Sequence, residues 1–158
     1  MSKEKQKLHL AEEYARRVRS GEILACEYVR LAVGRYYRDL DMALDRGWFF
    51  DRREAIRAIH FIECLKHTKG KWAGSRFRLE PWQQFVVWNI FGWKHADGTR
   101  RFRYTYIEIA RKNGKTLFAA ALAAHCTFLD GEYGARIYFA APKLEQAALC
   151  YDAYFQMI

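Results

Sequence analysis

No run of apolar residues in this chain approaches the roughly 20 that cross a bilayer. The longest such stretch, Leu117 to Cys126, is alanine-rich and interrupted by His125. The basic start, Met1–Lys7, leads into no apolar signal core, so neither secretion nor a membrane partner is indicated, and a cytoplasmic protein is expected. There is no CxxC pair either. Cys26, Cys64, Cys126 and Cys150 stand apart, which excludes a zinc ribbon and a disulfide framework. His60, Cys64 and His67 share one helical face at i, i+4 and i+7, but a fourth ligand is missing, and a packing or solvated face is the preferred reading over a metal site. Internal repeats and low-complexity segments are also absent. Core material is present: 51% of the 158 residues are hydrophobic and 16% aromatic, enough for a folded domain or a domain and a half.

Positive charge is concentrated rather than spread. The net charge is +9, and the stretch from Lys66 to Lys115 alone holds twelve Lys/Arg against three Asp/Glu, while the flanking stretches nearly cancel. A surplus confined to a third of the chain points to a polyanion partner: nucleotide phosphates, a nucleic acid, or both. A solubilising face is the alternative for the part outside the loop described below.

Periodicity divides the chain in two. Leu8, Ala11, Ala15 and Val18 keep a helical stripe that ends at Ser20-Gly21. Val29, Val33, Tyr36, Leu40 and Leu44 make a second, closed by Gly47, and Asp51 starts a third helix whose buried face is Ala55, Ile59, Ile62 and Leu65, with Glu54 as capping partner. Together these predict a helical subdomain over 1–70. The polar, glycine-containing Lys66–Leu79 reads as a linker, Pro81 as the first turn of a helix apolar nearly all round, and His95–Thr99 as a turn. The period then changes. Phe102–Ile109 reads as a strand, Leu117–Leu129 as a helix, Asp130–Gly134 as a turn, Arg136–Ala141 as a second strand and Lys143–Ile158 as a helix. Strand, loop, helix, strand, helix is the opening of a parallel sheet, so the fold class expected is α/β, with the second domain over 71–158 an incomplete one.

The chemistry concentrates in Ala110-Arg111-Lys112-Asn113-Gly114-Lys115-Thr116, between the first strand and the helix after it. A phosphate-binding loop reads GxxxxGK[ST] in that setting. Gly114 lets backbone amides turn toward phosphate oxygens, Lys115 reaches the β- and γ-phosphates, Thr116 offers a hydroxyl to Mg²⁺, and the helix start adds its dipole. The first glycine of the pattern falls on Ile109 and is lost. The competing reading is a basic helix-capping turn with no ligand.

The run IEIARKNGKT, the alanine-rich helix after it, DGEYGARIYFAAPKLEQA, and upstream LKHTKGKWAG and LEPWQQF, in that order, resemble the large terminase subunits of tailed phages and prophages from about residue 22 to the end. In that family the phosphate loop lacks its first glycine and carries an arginine. Arg111 and Lys112 match that pattern, with Lys115 at the catalytic lysine and Thr116 at the metal position. The resemblance implies a P-loop NTPase sheet using ATP and Mg²⁺, with Lys115 stabilising charge on the transferring phosphoryl group and Arg111 adding to it or sensing the γ-phosphate. It also implies that Pro81-Trp82-Gln83 is the family's adenine-contacting block, Gln83 pairing with the base edge and Trp82 packing beside it; an ordinary solvent-facing Gln83 is the alternative. The parent activity implied is ATP-driven translocation of double-stranded DNA into a prohead in the host cytoplasm, with endonucleolytic cutting. Its partners would be the portal protein, the terminase small subunit and further copies in a ring.

Such an ATPase needs an apolar strand ending in an Asp-Glu pair. After Lys115 the acids are Asp130, Glu132, Glu145 and Asp152, and none ends an expected strand. The chain is therefore expected to be an N-terminal piece that holds nucleotide weakly and does not turn it over. Two rivals remain at this level: a helicase-like P-loop ATPase, and a basic nucleic-acid-binding module in which GKT is incidental.

Overall fold

The computed structural model describes residues 8–158; the basic N-terminal residues Met1–Lys7 lie outside them. The chain forms two compact units. One contains the residues up to Ile56 together with Leu79–Thr105, the other Arg57–Arg78 together with Tyr106–Ile158. The first division falls within the third helix.

In the first unit, helix α1 spans Leu10–Arg19. It starts where His9 accepts from the Ala11 amide and Glu12 accepts from the His9 amide, a reciprocal cap that fixes the first turn. Ala11, Ala15 and Val18 are buried as their spacing requires, whereas Leu8 precedes the helix and is exposed. Helix α2 covers Glu27–Met42 and buries Val33 and Tyr36. Its stripe then departs from the sequence expectation: Leu40 and Leu44 are exposed, and Asp39 is buried instead. The cause is an ion pair, Arg101 Nη1 donating to Asp39 Oδ2 at 2.7 Å.

Gly47 takes a positive φ of 67° and turns the chain into strand β1, Trp48–Phe50. This pairs antiparallel with β2, Trp93–His95, in the register Trp48↔His95 and Phe50↔Trp93. Between them in sequence runs helix α4, Pro81–Gly92, with proline in its first turn and Val87, Trp88, Ile90 and Phe91 among its buried residues. α1 packs on both α2 and α4. The centre of this unit is aromatic: Phe50 has Trp88 and Trp93 each 5.1 Å from its ring centre, and Tyr36 Oη accepts from Trp88 Nε1 at 3.2 Å.

Helix α3, Arg52–Cys64, is capped by Asp51, whose carboxylate accepts from the Arg53 and Glu54 amides. Ala55, Ala58, Ile59, Ile62 and Leu65 are buried, as its periodicity predicts. In the second unit the linker after it contains a 3₁₀ turn at Gly70–Trp72 and a bridge between Lys66 and Arg76. Helices α5, Lys115–Phe128, and α6, Leu144–Met157, pack against each other, and Phe118, Ala121, Ala124, Ala153 and Met157 are among their buried residues.

The structure is helix-rich with one small antiparallel sheet among the described residues, which is α/β only in a broad sense. The expected parallel sheet is not formed: no ladder joins 102–109 to 136–141. The pattern of a strand is nonetheless there. Ile107 and Ile109 are half-buried while Tyr106, Glu108 and Ala110 are exposed; Ala135, Ile137 and Phe139 alternate likewise with Arg136, Tyr138 and Ala140. Parallel strands hold together when both faces are covered, and each of these stretches has one bare face.

Candidate nucleotide-binding site

Among the described residues, Lys112 is the one non-glycine with a left-handed backbone, φ 68°, and Gly114 two positions on has φ 72°. A lysine in that region costs about 1–2 kcal/mol, and such residues concentrate where a ligand is clamped. Left-handed residues spaced this way curl successive amides toward one concave side, a shape that suits an anion. Asn113 stiffens the curl, its Nδ2 donating to the carbonyls of Ala110 at 3.4 Å and Arg111 at 3.3 Å.

Gly114 then caps α5. The first helical bond runs from the Phe118 amide to the Gly114 carbonyl at 2.9 Å, so the amides of Lys115, Thr116 and Leu117 precede the helical ladder. They carry the positive end of the helix dipole. Arg111, Lys112, Asn113, Lys115 and Thr116 are all exposed. Three cationic side chains, a hydroxyl and a helix start therefore meet solvent within six residues.

The helix behind the loop is held firmly. Phe118 is 2% exposed, and the ring of buried His125 stands edge-on to Phe61 at 5.8 Å. The Arg57 guanidinium donates to the Leu129 carbonyl at the far end of α5, 3.0 Å. From α6, Tyr154 Oη lies 3.1 Å from Thr127 Oγ1, and Cys150 Sγ donates to the Thr116 carbonyl at 3.7 Å. Burial pushes the Cys150 thiol up from its ordinary value, so it remains the protonated donor this contact needs. Sequence reasoning missed Lys112's backbone, Arg57 and Cys150. Nothing in the order of residues signals a contact across 34 positions.

Gln83 and Trp82 sit in the first unit, at the start of α4. Gln83 is 6% exposed, and its Oε1 accepts from the Glu80 amide at 2.9 Å, so it caps its own helix rather than facing solvent. The spacing Glu80-x-x-Gln83 ahead of an apolar run signals this cap in the sequence. Trp82 is half-buried beside a groove of about 250 Å³ that it shares with Leu10, Tyr14, Arg17 and Ile23.

Asp130 follows α5 in a bend, Glu132 lies in an irregular stretch, and Glu145 and Asp152 are exposed on α6. None ends a strand. His60 and Cys64 are exposed, whereas the His67 ring packs edge-on to Phe77 at 5.1 Å. Among the described residues no group of three or more His, Cys, Asp or Glu is placed to hold a metal, and no helix is long and apolar enough to cross a membrane.

Compared with known families, residues 81–158 match the family model for the terminase large subunit, ATPase domain. The matched span begins at the first residue of α4 and includes Gln83, the loop at 110–116, α5 and α6. No curated protein and no solved structure matches the chain.

Proposed function

We propose that this chain, whose residues 81–158 belong to the terminase large subunit ATPase family, holds ATP and Mg²⁺ on the loop Ala110–Thr116 and is the nucleotide-binding part of an ATP-driven movement of double-stranded DNA. The observation that carries the reading is the left-handed pair Lys112 and Gly114 at the mouth of α5, directly before Lys115 and Thr116. A polyphosphate needs backbone amides, a mobile cation and a hydroxyl for its metal, and the exposed start of α5 with Lys115 and Thr116 supports this reading.

In this reading the amides of Gly114, Lys115 and Thr116 bind phosphate oxygens. The Lys115 ammonium offsets the charge that grows on the transferring phosphoryl group, and Thr116 Oγ1 is the protein's ligand to Mg²⁺. Mg²⁺, which Thr116 would help to hold, would supply neutralisation of phosphate charge. Arg111, one residue into the loop, senses the γ-phosphate, and Lys112 and Asn113 shape the cradle. By the family resemblance Gln83, with Trp82, is the candidate for contacting adenine. The partners that go with this function are the portal protein, the terminase small subunit and further copies of the chain in a ring, in the host cytoplasm.

Calorimetric titration of ATP–Mg²⁺ into the chain tests the loop. Binding with a Kd on the order of millimolar is expected, and Lys115→Ala abolishes it. An affinity that Lys115→Ala leaves unchanged would falsify the assignment. Phosphate release should stay at background, since none of the acids after Lys115 (Asp130, Glu132, Glu145, Asp152) ends a strand from which it could orient water.

A further inference from the structure

A groove of about 370 Å³ runs between α1 and α2, lined by Arg19, Arg30, Arg38, Tyr37 and Gly34 with Asp41 at its rim. It shares no residue with the loop at 110–116. The arginines that line it are not neutralised by neighbouring carboxylates. Arg16 and Arg17 nearby are tied to Glu13 and Glu22 at 2.8–3.4 Å. Arg19, Arg30 and Arg38 are exposed and have no ion pair among the described residues. Arg30 is held in place by its hydrogen bond to the Ala25 carbonyl at 2.9 Å, and Arg19 lies over the Tyr37 ring at 4.5 Å.

Gly34 adds an independent observation. It lies inside a 16-residue helix with ordinary helical backbone, where glycine costs about 0.5–1 kcal/mol against alanine. No close packing within the chain explains it: a Cβ there would meet nothing within 4 Å. A helical glycine lining an open cationic groove leaves room for something that approaches the helix backbone from outside.

We infer that the α1–α2 groove is a phosphodiester-binding site, at which Arg19, Arg30 and Arg38 grip the backbone of a nucleic acid that lies against Gly34. Three guanidiniums against one carboxylate set the sign of the ligand, and guanidinium forks suit phosphate oxygens. Tyr37 is the one aromatic side chain lining the groove, and Arg19 already covers one face of its ring, so base stacking contributes little there. Recognition is of the backbone, without sequence preference.

Fluorescence anisotropy of a labelled duplex of about 20 base pairs, titrated with the full chain over a range of salt, tests the site. Arg30→Gln/Arg38→Gln should weaken binding at least tenfold and reduce the salt slope by about 2, while leaving ATP–Mg²⁺ binding at the loop as it was. The equal-charge control Arg46→Gln/Arg53→Gln should do much less. Gly34→Ala should raise the melting temperature through helix propensity yet weaken DNA binding, a combination that a purely structural glycine does not give. The inference is overturned if the Arg30/Arg38 pair behaves like its control, if Gly34→Ala leaves DNA affinity intact, or if polyglutamate or inorganic phosphate competes as well as duplex. Because ATP binding is read separately, a failure of the loop assignment and a failure of this one are told apart.

Discussion

Removing the Asp39 charge should damage the first unit more than any surface substitution. Asp39 and Arg101 meet at 2.7 Å with their side chains only 11% and 12% exposed. The guanidinium also lies 3.5 Å from the Trp48 ring centre and 4.7 Å from that of Phe102. A second cation, Arg35, sits over Phe102 at 4.8 Å and is likewise offset by Asp39. With charge centres about 4 Å apart and an effective dielectric constant near 20, the attraction is worth up to about 4 kcal/mol. In Asp39→Asn the attraction vanishes while two cations remain among aromatic rings. The rings soften the loss, since each favourable cation–ring contact contributes about 0.5–2 kcal/mol. A net cost of about 3 kcal/mol follows, a large share of a typical domain's stability. Arg101→Met should cost at least as much, because it strands the carboxylate and removes the ring contacts. The double variant leaves no buried charge unpaired, so its cost should fall short of the sum by about 2 kcal/mol. Urea unfolding followed by tryptophan fluorescence reads all three, with Trp48 and Trp93 as reporters. Additivity within about 0.5 kcal/mol would refute the reasoning, since it would mean the two charges do not sense each other.

Other perturbations separate burial, packing and capping. Tyr36 is 4% exposed, and burial pushes its hydroxyl up to about 12 against the opposing Trp88 hydrogen bond. The folded state therefore keeps a proton that the unfolded chain loses near pH 10, so stability is intact below about pH 10 and falls by about 2–3 kcal/mol toward pH 12. Tyr36→Phe should remove that alkaline loss; an unchanged profile would count against the buried hydroxyl. Gly92→Ala would drive a methyl group into the Phe50 ring, which is wedged between Trp88 and Trp93, at a cost of about 1–3 kcal/mol seen as a lower melting temperature. Gln83→Ala should lower stability by about 1 kcal/mol with no nucleotide present, as measured by urea unfolding, because the Glu80 amide loses its acceptor.

The helices were legible because each carries its boundary signals locally. Asp51, Pro81, Gly114 and the 3.6-residue stripes of α1 and α3 require only nearby residues to act. The pairing of β1 with β2 was not legible, since three-residue strands 45 positions apart, Trp48 to Trp93, leave no alternation to read. The false stripe through Leu40 and Leu44 has a similar origin. Asp39 looks like a surface residue until Arg101, 62 positions on, neutralises it. In the loop, GKT and its helix were visible from spacing. Lys112's left-handed backbone was not, because lysine is the last residue type that would advertise it.

The bare faces of the two unladdered stretches bear on how copies of the chain meet. Extended segments with open amide rows are templates for strands of other molecules, and Tyr106 and Tyr138, 87% and 80% exposed, would favour such contact. Each face also bears one charge, Glu108 on the first and Arg136 on the second. Parallel, in-register stacking of either segment on its own copy sets like charges side by side, which sheets resist. Opposite signs make each segment a better match for the other than for itself, so the sequence discourages fibrous self-association while leaving both edges available to complete a sheet.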